Sequence, residues 1–250
     1  MNPVPDKDKA KEKKLKHVKV YDKLYEQIQA GTYPVGSQLP SETTLASQMN
    51  VSRMTLRKAL ALLQDDGLTK NVQGVGHFVR AHSEEESPTE SISNTLTHPV
   101  YSFCTETLDS VEMEFRIEPP TKAISDSLKR YTPAVVIVDR WYKHEGTPLA
   151  YTLSMLPIEL IGEKHIDLNK EEHLLRFLET TCYEDVVYCK QTCMHSTAGN
   201  FSATTYTLSE HNSFLLIHEN IYDAEHKVLV FNKHFIPSDL FKIELKYGKA

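Results

Sequence analysis

Leu39–Val79 reads LPSETTLASQMNVSRMTLRKALALLQDDGLTKNVQGVGHFV, and this stretch decides the fold of the N-terminal part of the chain. Ser41, with Glu42 behind it, is a polar start signal for a helix that carries Leu45, Ala46 and Met49 on one side. A turn at Asn50 leads to Ser52, which can cap the next helix. There Leu56, Ala59, Leu60 and Leu63 recur at helical spacing and form an inward face. Arg53, Thr55, Arg57 and Lys58 are left near the start of the outward face. A helix whose exposed first turns carry arginine, threonine and lysine offers what the reading of a DNA major groove requires. Leu68–Val72, the turn Gln73-Gly74-Val75-Gly76, and His77–Arg80 then predict a glycine-tipped β-hairpin. In this order and at this spacing the pieces predict a winged helix-turn-helix.

Each piece alone is ordinary. An amphipathic helix with two arginines is usually a solvated surface helix, and Gly-x-Gly without a third glycine before a helix does not support a dinucleotide site. Upstream, Val18–Ala30 predicts a first helix whose stripe of Val20, Tyr21, Leu24, Tyr25 and Ile28 can close a small core. Gly31 and Pro34 end it. The preceding residues 1–17, rich in lysine and without an apolar core, read as a flexible basic tail rather than a signal or membrane anchor.

Charge divides the chain. Residues 1–80 hold 13 Lys and Arg against 8 Asp and Glu, leaving 15 against 26 for the rest of a chain whose net charge is −6. A basic head on an acidic body is the asymmetry of a DNA-binding domain joined to one that should stay off DNA. No run reaches transmembrane length, and no membrane partner is expected. Cys104, Cys182, Cys189 and Cys193 lack a CxxC pair and fit a reducing cytoplasm. Cys189, Cys193 and His195 fall on a predicted strand with no fourth ligand, so buried or half-buried thiols are expected and neither metal nor cofactor is.

The motifs Leu39-Pro40-Ser41-Glu42, Val51-Ser52-Arg53, Thr55–Leu60 and Gly74–Val79 resemble the DNA-binding domain of GntR-type bacterial transcription regulators across residues 18–80. The resemblance implies DNA contacts from Ser41, Thr43, Ser52, Arg53, Met54, Thr55, Arg57, Lys58, Gln73, Gly74 and His77. Thr43 and Met54 depart from the pattern, standing where many relatives carry arginine and threonine. Gly74 would let the wing backbone approach the minor groove.

Residues 81–95 are acidic and Ser/Thr-rich, and read as a linker. Beyond it, strands are expected at Glu112–Ile117, Ala134–Tyr142, Leu149–Leu156, Val186–Ser196, Phe214–Tyr222 and Val228–Phe235. Helices are expected at Thr121–Arg130, around Ile158–Ile161, at Lys170–Thr181 and at Phe201–Leu208. His144–Thr147 and Ala224–Lys227 read as hairpin turns. The pattern predicts an α+β fold built on an antiparallel sheet. Arg140–Leu149, followed by Leu156-Pro157, resembles the effector-binding UTRA domain of HutC-type GntR regulators over residues 96–250, which implies a chorismate-lyase-like fold.

That resemblance implies an effector site at Ser102, Arg140, Tyr142, Thr152, His173 and Asn232. On residue type alone, Arg140 can equally pair with a carboxylate at the sheet rim or grip an anionic ligand in its fork. Asn169 can cap the helix from Lys170, with Glu172 reaching back, to leave amides for an anion. Ser102 reads by composition as a strand-entry serine. Tyr142, Thr152 and Val230 stand where relatives carry an arginine and two glutamates, which puts an amino-sugar phosphate in doubt. Trp141, Tyr142 and Tyr151 read as core, with stacking on a flat ligand as the other possibility. Glu219 and Asp223 read as hairpin surface charges. The expected protein is a cytoplasmic homodimer, a repressor of a sugar or other catabolic operon, that binds a palindromic operator and is released by a small phosphorylated or acidic effector. The alternatives are a regulator with a degenerate, ligand-independent second domain and a lyase-like enzyme, the latter without a visible catalytic constellation.

Overall fold

The structure is a computed structural model of the 250-residue chain; it describes residues 7–72, 74–80, 96–184 and 186–243, with side chains from residue 16 onward. It divides into two compact units, taken in turn. Helix α1 spans Lys7–Gln29. The backbone is thus helical from Lys7, where a flexible tail was expected up to residue 17. The run from Lys7 to His17 is mostly Lys, with Ala10, Glu12 and Leu15 among it, good helix formers with neither Gly nor Pro to break them.

Helix α2, Glu42–Gln48, starts at Ser41, whose Oγ accepts from the Thr44 amide at 3.2 Å. Asn50 turns the chain with φ 52°, a left-handed conformation that asparagine tolerates. Helix α3, Arg53–Asp65, starts at Ser52, which accepts from the Thr55 amide at 3.1 Å. It ends in a Schellman motif, with Gly67 at φ 71°, its amide on the Gln64 carbonyl and the Leu68 amide on that of Leu63. Leu24, Leu45, Leu56, Ala59, Leu60 and Leu63 bury together beneath these helices. Strands β1 (Thr69–Val72) and β2 (Gly76–Val79) form the expected antiparallel wing, and Gln38 bridges to Phe78 beside them. Gln73 and the linker expected at residues 81–95 lie outside the described residues.

The second unit opens with a short helix, α4 (Pro99–Phe103), followed by β3 (Ser110–Glu118), α5 (Lys122–Leu128), β4 (Val135–His144) and β5 (Thr147–Pro157). Next come α6 (Glu159–Glu163), α7 (Glu171–Arg176), a π-helical turn (Phe177–Thr181) and α8 (Cys182–Glu184). Strand β6 (Tyr188–Ser196), α9 (Gly199–Ser202), β7 (Phe214–Tyr222) and β8 (Val228–Pro237) complete it. Among the described residues the strands form one six-stranded antiparallel sheet, ordered β3-β4-β5-β8-β7-β6. Glu145 and Gly146 close the β4–β5 hairpin with φ 46° and 77°, the paired positive values that match strand twist. At the β7–β8 turn, Asp223 Oδ1 accepts from the amides of Glu225 and Lys227 at 2.9 and 2.8 Å.

One sheet face packs Val136, Val138, Leu156, Ile221 and Val230 under Leu160 of α6, Leu174 of α7, and Phe177 and Leu178 of the π turn. The other carries Val135, Ile137, Met155 and Phe231, with Leu128 of α5. Four local expectations change. Val100–Phe103 is helix, not strand entry, because Pro99 fits the first helical position and His98 caps it. The helix expected from Lys170 is split by the π turn, and Asn169 does not cap it. Instead Asn169 Nδ2 donates to Asp167 at 3.1 Å. The helix expected at Phe201–Leu208 is only α9. Thr204 takes φ 47°, and the Asn200 side chain accepts from the amides of Leu208 and Ser209 at 2.8 and 3.0 Å, pinning a loop where Thr205-Tyr206-Thr207 is a poor helix former.

Candidate functional site

In the N-terminal unit the apolar rows of α3 face inward, which leaves Ser52, Arg53, Met54 and Arg57 on the exposed side. Ser52 and Thr55 share a hydroxyl contact of 2.9 Å, so both spend polar capacity on the helix start. Arg57 Nε donates to Glu42 Oε2 at 2.7 Å across α2 and α3, and this pair fixes where the guanidinium stands. Ser41 and Thr43 are exposed at the start of α2, and Lys58 is half-buried. In the wing, Gly74 is exposed with φ 77°, open to close approach by a partner. His77 is half-buried, and its burial lowers its pKa against the opposing pull of Glu42. The imidazole is therefore mostly neutral at pH 7. The described members of the expected DNA-contact set lie on α2, α3 and the wing.

The second unit holds a buried polar network on the sheet face under α4, α7 and the π turn. Arg140, Tyr142, Thr152 and Asn232, from β4, β5 and β8, are all fully buried. Arg140 Nη1 donates to Glu179 Oε1 of the π turn and to the Leu178 carbonyl at 3.2 Å, while Nη2 donates to Ser154 at 2.8 Å. Ser154 Oγ donates to Asn232 Oδ1 at 2.5 Å, and Asn232 Nδ2 donates to Glu219 at 2.8 Å. His234 joins Thr152 at 2.8 Å to Glu219 at 3.1 Å. Tyr142 Oη donates to Glu179 at 2.9 Å and lies 3.0 Å from His98 Nε2. The Val100 amide occupies His98 Nδ1, so the remaining proton belongs on Nε2, pointed at the tyrosine. Burial pushes His98 well below the usual imidazole range, and His234 and Arg140 push it further.

Glu219 is buried at the far end of this network. Burial alone would raise its carboxyl, but hydrogen bonds from His234, Tyr183 and Asn232 outweigh it and hold the group at about 2. Its place corrects the expectation of a surface charge. Leu215, Ile217, Glu219 and Ile221 share one face of β7, and that alternation already put Glu219 inward. The same signal marks Ser154 beside Thr152, and His234 beside Asn232. Glu179 and His98 had no such signal, since both reach the network from helical segments.

Arg140 therefore pairs with a carboxylate, as one of its two readings allowed, though in the core rather than at the rim. Ser102 and His173 are not brought to the network. The Ser102 hydroxyl, on the exposed side of α4, accepts or donates with Thr97 at 2.5 Å and reaches the His98 carbonyl at 3.2 Å. His173 is half-buried in α7, a six-residue helix that starts at Lys170 without a side-chain cap. Trp141 and Tyr151 pack on the opposite face, with the indole Nε1 donating to the Ala203 carbonyl at 2.9 Å. Among the described residues, two buried polar atoms of the Arg140 pair have no hydrogen-bond partner: Arg140 Nε and Glu179 Oε2. Beside them opens a cleft of about 370 Å3 lined by Tyr101, Asp109, Ser110, Glu172, Arg176 and Glu179. Glu179 thus belongs to both the cleft and the core.

Cys182 is buried, Cys104 and Cys189 are half-buried, and Cys193 is exposed, against the expectation for that one. Among the described residues no cluster of His, Cys, Asp and Glu could hold a metal ion, and no helix is long and apolar enough to cross a membrane.

Residues 16–79 match the family model described as bacterial regulatory proteins, gntR family. The chain is 26% identical over 144 residues to the HTH-type transcriptional regulator GmuR of Bacillus subtilis, covering 57% of this chain and 60% of that protein. It is 44% identical over 63 residues to the histidine utilization repressor of Pseudomonas aeruginosa, covering 25% of each. The chain thus spans less than two thirds of the length of these relatives. The crystal structure of a possible transcriptional regulator, YydK of Bacillus subtilis, is 18% identical with a TM-score of 0.47, over 93% of this chain and 99% of that one. The two curated relatives are named as a transcriptional regulator and a repressor.

Proposed function

Residues 16–79 being a GntR-family helix-turn-helix domain, we propose that the chain is a ligand-responsive transcriptional regulator of the cytoplasm. It represses a catabolic operon and binds a palindromic operator as a homodimer, because one small head reads only a half-site. The carrying observation is the exposed start of α3, where Arg53 and Arg57 stand beside a glycine-tipped wing. Residues 96–250 serve as the effector-binding and dimerisation domain.

The effector carries a carboxylate or phosphate. What supports this is Arg140, a buried guanidinium whose carboxylate partner Glu179 also lines the cleft. A ligand anion that takes the place of Glu179 keeps the fork paired, at no cost of an isolated buried charge. Regulation then follows from linkage: an effector favouring the head arrangement unfit for DNA lowers operator affinity, and operator DNA weakens effector binding equally.

A second reading is favoured by one observation. Apart from Arg140 Nε, the side-chain polar atoms of Arg140, Tyr142, Thr152 and Asn232 hydrogen-bond within the domain, which suits a regulator whose second domain needs no ligand. A thermal-shift screen of phosphorylated sugars, free sugars and amino-acid catabolites separates the two. A true effector at a hundredfold excess over its dissociation constant stabilises the fold by about 2.7 kcal/mol and must also change operator affinity in filter binding. A compound that binds without moving operator affinity would exclude the switch.

A further inference from the structure

We propose that Met54 reads the methyl group of a thymine in each operator half-site. The inference rests on the DNA-binding reading above and adds to it one chemical feature of the sequence recognised.

In a helix-turn-helix the first residues of the recognition helix meet base edges. Here the first turn of α3, behind the Ser52 cap, holds Arg53, Met54 and Thr55. The Thr55 hydroxyl is engaged with Ser52 at 2.9 Å, so the turn offers outward the Arg53 guanidinium and the Met54 thioether. Met54 is 62% exposed while Leu56, Ala59 and Leu60 of the same helix are buried. It therefore contributes little to the core of its own unit. Base edges in the major groove present hydrogen-bond donors and acceptors, and a single apolar group, the C5 methyl of thymine. An unbranched, polarizable side chain at this place has that methyl as its complement, and its flexibility lets it follow the base.

The neighbours restrict what else the turn can read. Arg57 stands one turn farther along and is tethered through Nε to Glu42. Arg53 supplies the charge-assisted contacts, to a guanine edge or to phosphate. The half-site is then expected to contain a thymine whose recognition is indifferent to hydrogen bonding and sensitive to the methyl alone.

The experiment uses the full chain and a randomised duplex library to obtain its preferred sequence. Each thymine of that sequence is then replaced in turn by deoxyuridine, which removes the methyl and leaves the base-pairing edges intact. For the unaltered chain, one thymine per half-site should show an affinity loss of about fourfold, the worth of one buried carbon. Met54→Ala should bind the thymine duplex more weakly and be blind to that uracil. Met54→Leu, which keeps an apolar contact, should retain most of the discrimination and guards against an unrelated defect in the alanine variant. If the unaltered chain tolerates uracil everywhere, or if Met54→Ala is as sensitive to the same uracil, the assignment is overturned while operator binding stands. A library that yields no enriched sequence overturns operator reading and this assignment together.

Discussion

A carboxylate sealed inside a sheet-and-helix core, as Glu219 is, stays ionised only because donors surround it. Tyr183 and Asn232 contact its Oε2 at 2.7 and 2.8 Å, and Gln191 its Oε1 at 2.8 Å. Because the folded carboxyl sits near 2, below the unfolded value of about 4.3, its contribution is complete above the unfolded value and is lost as pH falls toward 2. Glu219→Gln should therefore be less stable than the unaltered chain at pH 6, and the gap should narrow by roughly 2 kcal/mol on going to pH 3. Chemical denaturation at the two pH values measures it, and a constant gap would exclude the charge as the source. Glu219 was legible as inward-facing from the apolar residues alternating with it on β7. Its partners were not, because Tyr183 and His234 lie on other elements and only the folded chain brings them near.

At the scale of elements, period decided what could be read. Strands β3, β4, β5, β7 and β8 fall where alternation placed them, since an alternating run that faces a core has one register. Helices α2 and α3 likewise follow from their caps and their leucine rows. The stop of α3 is more specific: Gly67 holds φ 71°, and a Cβ there would meet no atom within 4 Å. Gly67→Ala should thus cost about 1 kcal/mol through backbone strain alone, with no steric clash to add to it. Urea unfolding of the chain should show a lower midpoint with an unchanged slope, and an unchanged midpoint would mean that the motif contributes nothing. Short elements escaped the pattern. Five-residue α4 has too few positions for a period, and the π turn inserts an extra residue into a helix that composition alone would continue.

For the molecule as a whole, charge is segregated along the chain, with an excess of Lys and Arg up to residue 80 and of Asp and Glu beyond it. Binding through phosphates should therefore weaken steeply with salt. Arg57→Gln should lower operator affinity and, if the side chain meets a phosphate, reduce the log–log salt slope by about 1; a base contact would instead relax preference at one position with the slope unchanged. Loss of neither affinity nor preference would remove Arg57 from the interface. The sequence by itself determined the helix-turn-helix and wing and the antiparallel sheet, because periodicity, caps and turn residues act over a few neighbouring positions. Only the tertiary structure decided what Arg140 holds. Its partner Glu179 lies 39 residues away and Ser154 meets Asn232 across 78, so burial and pairing were set by which helix covered the sheet, a matter no local pattern encodes.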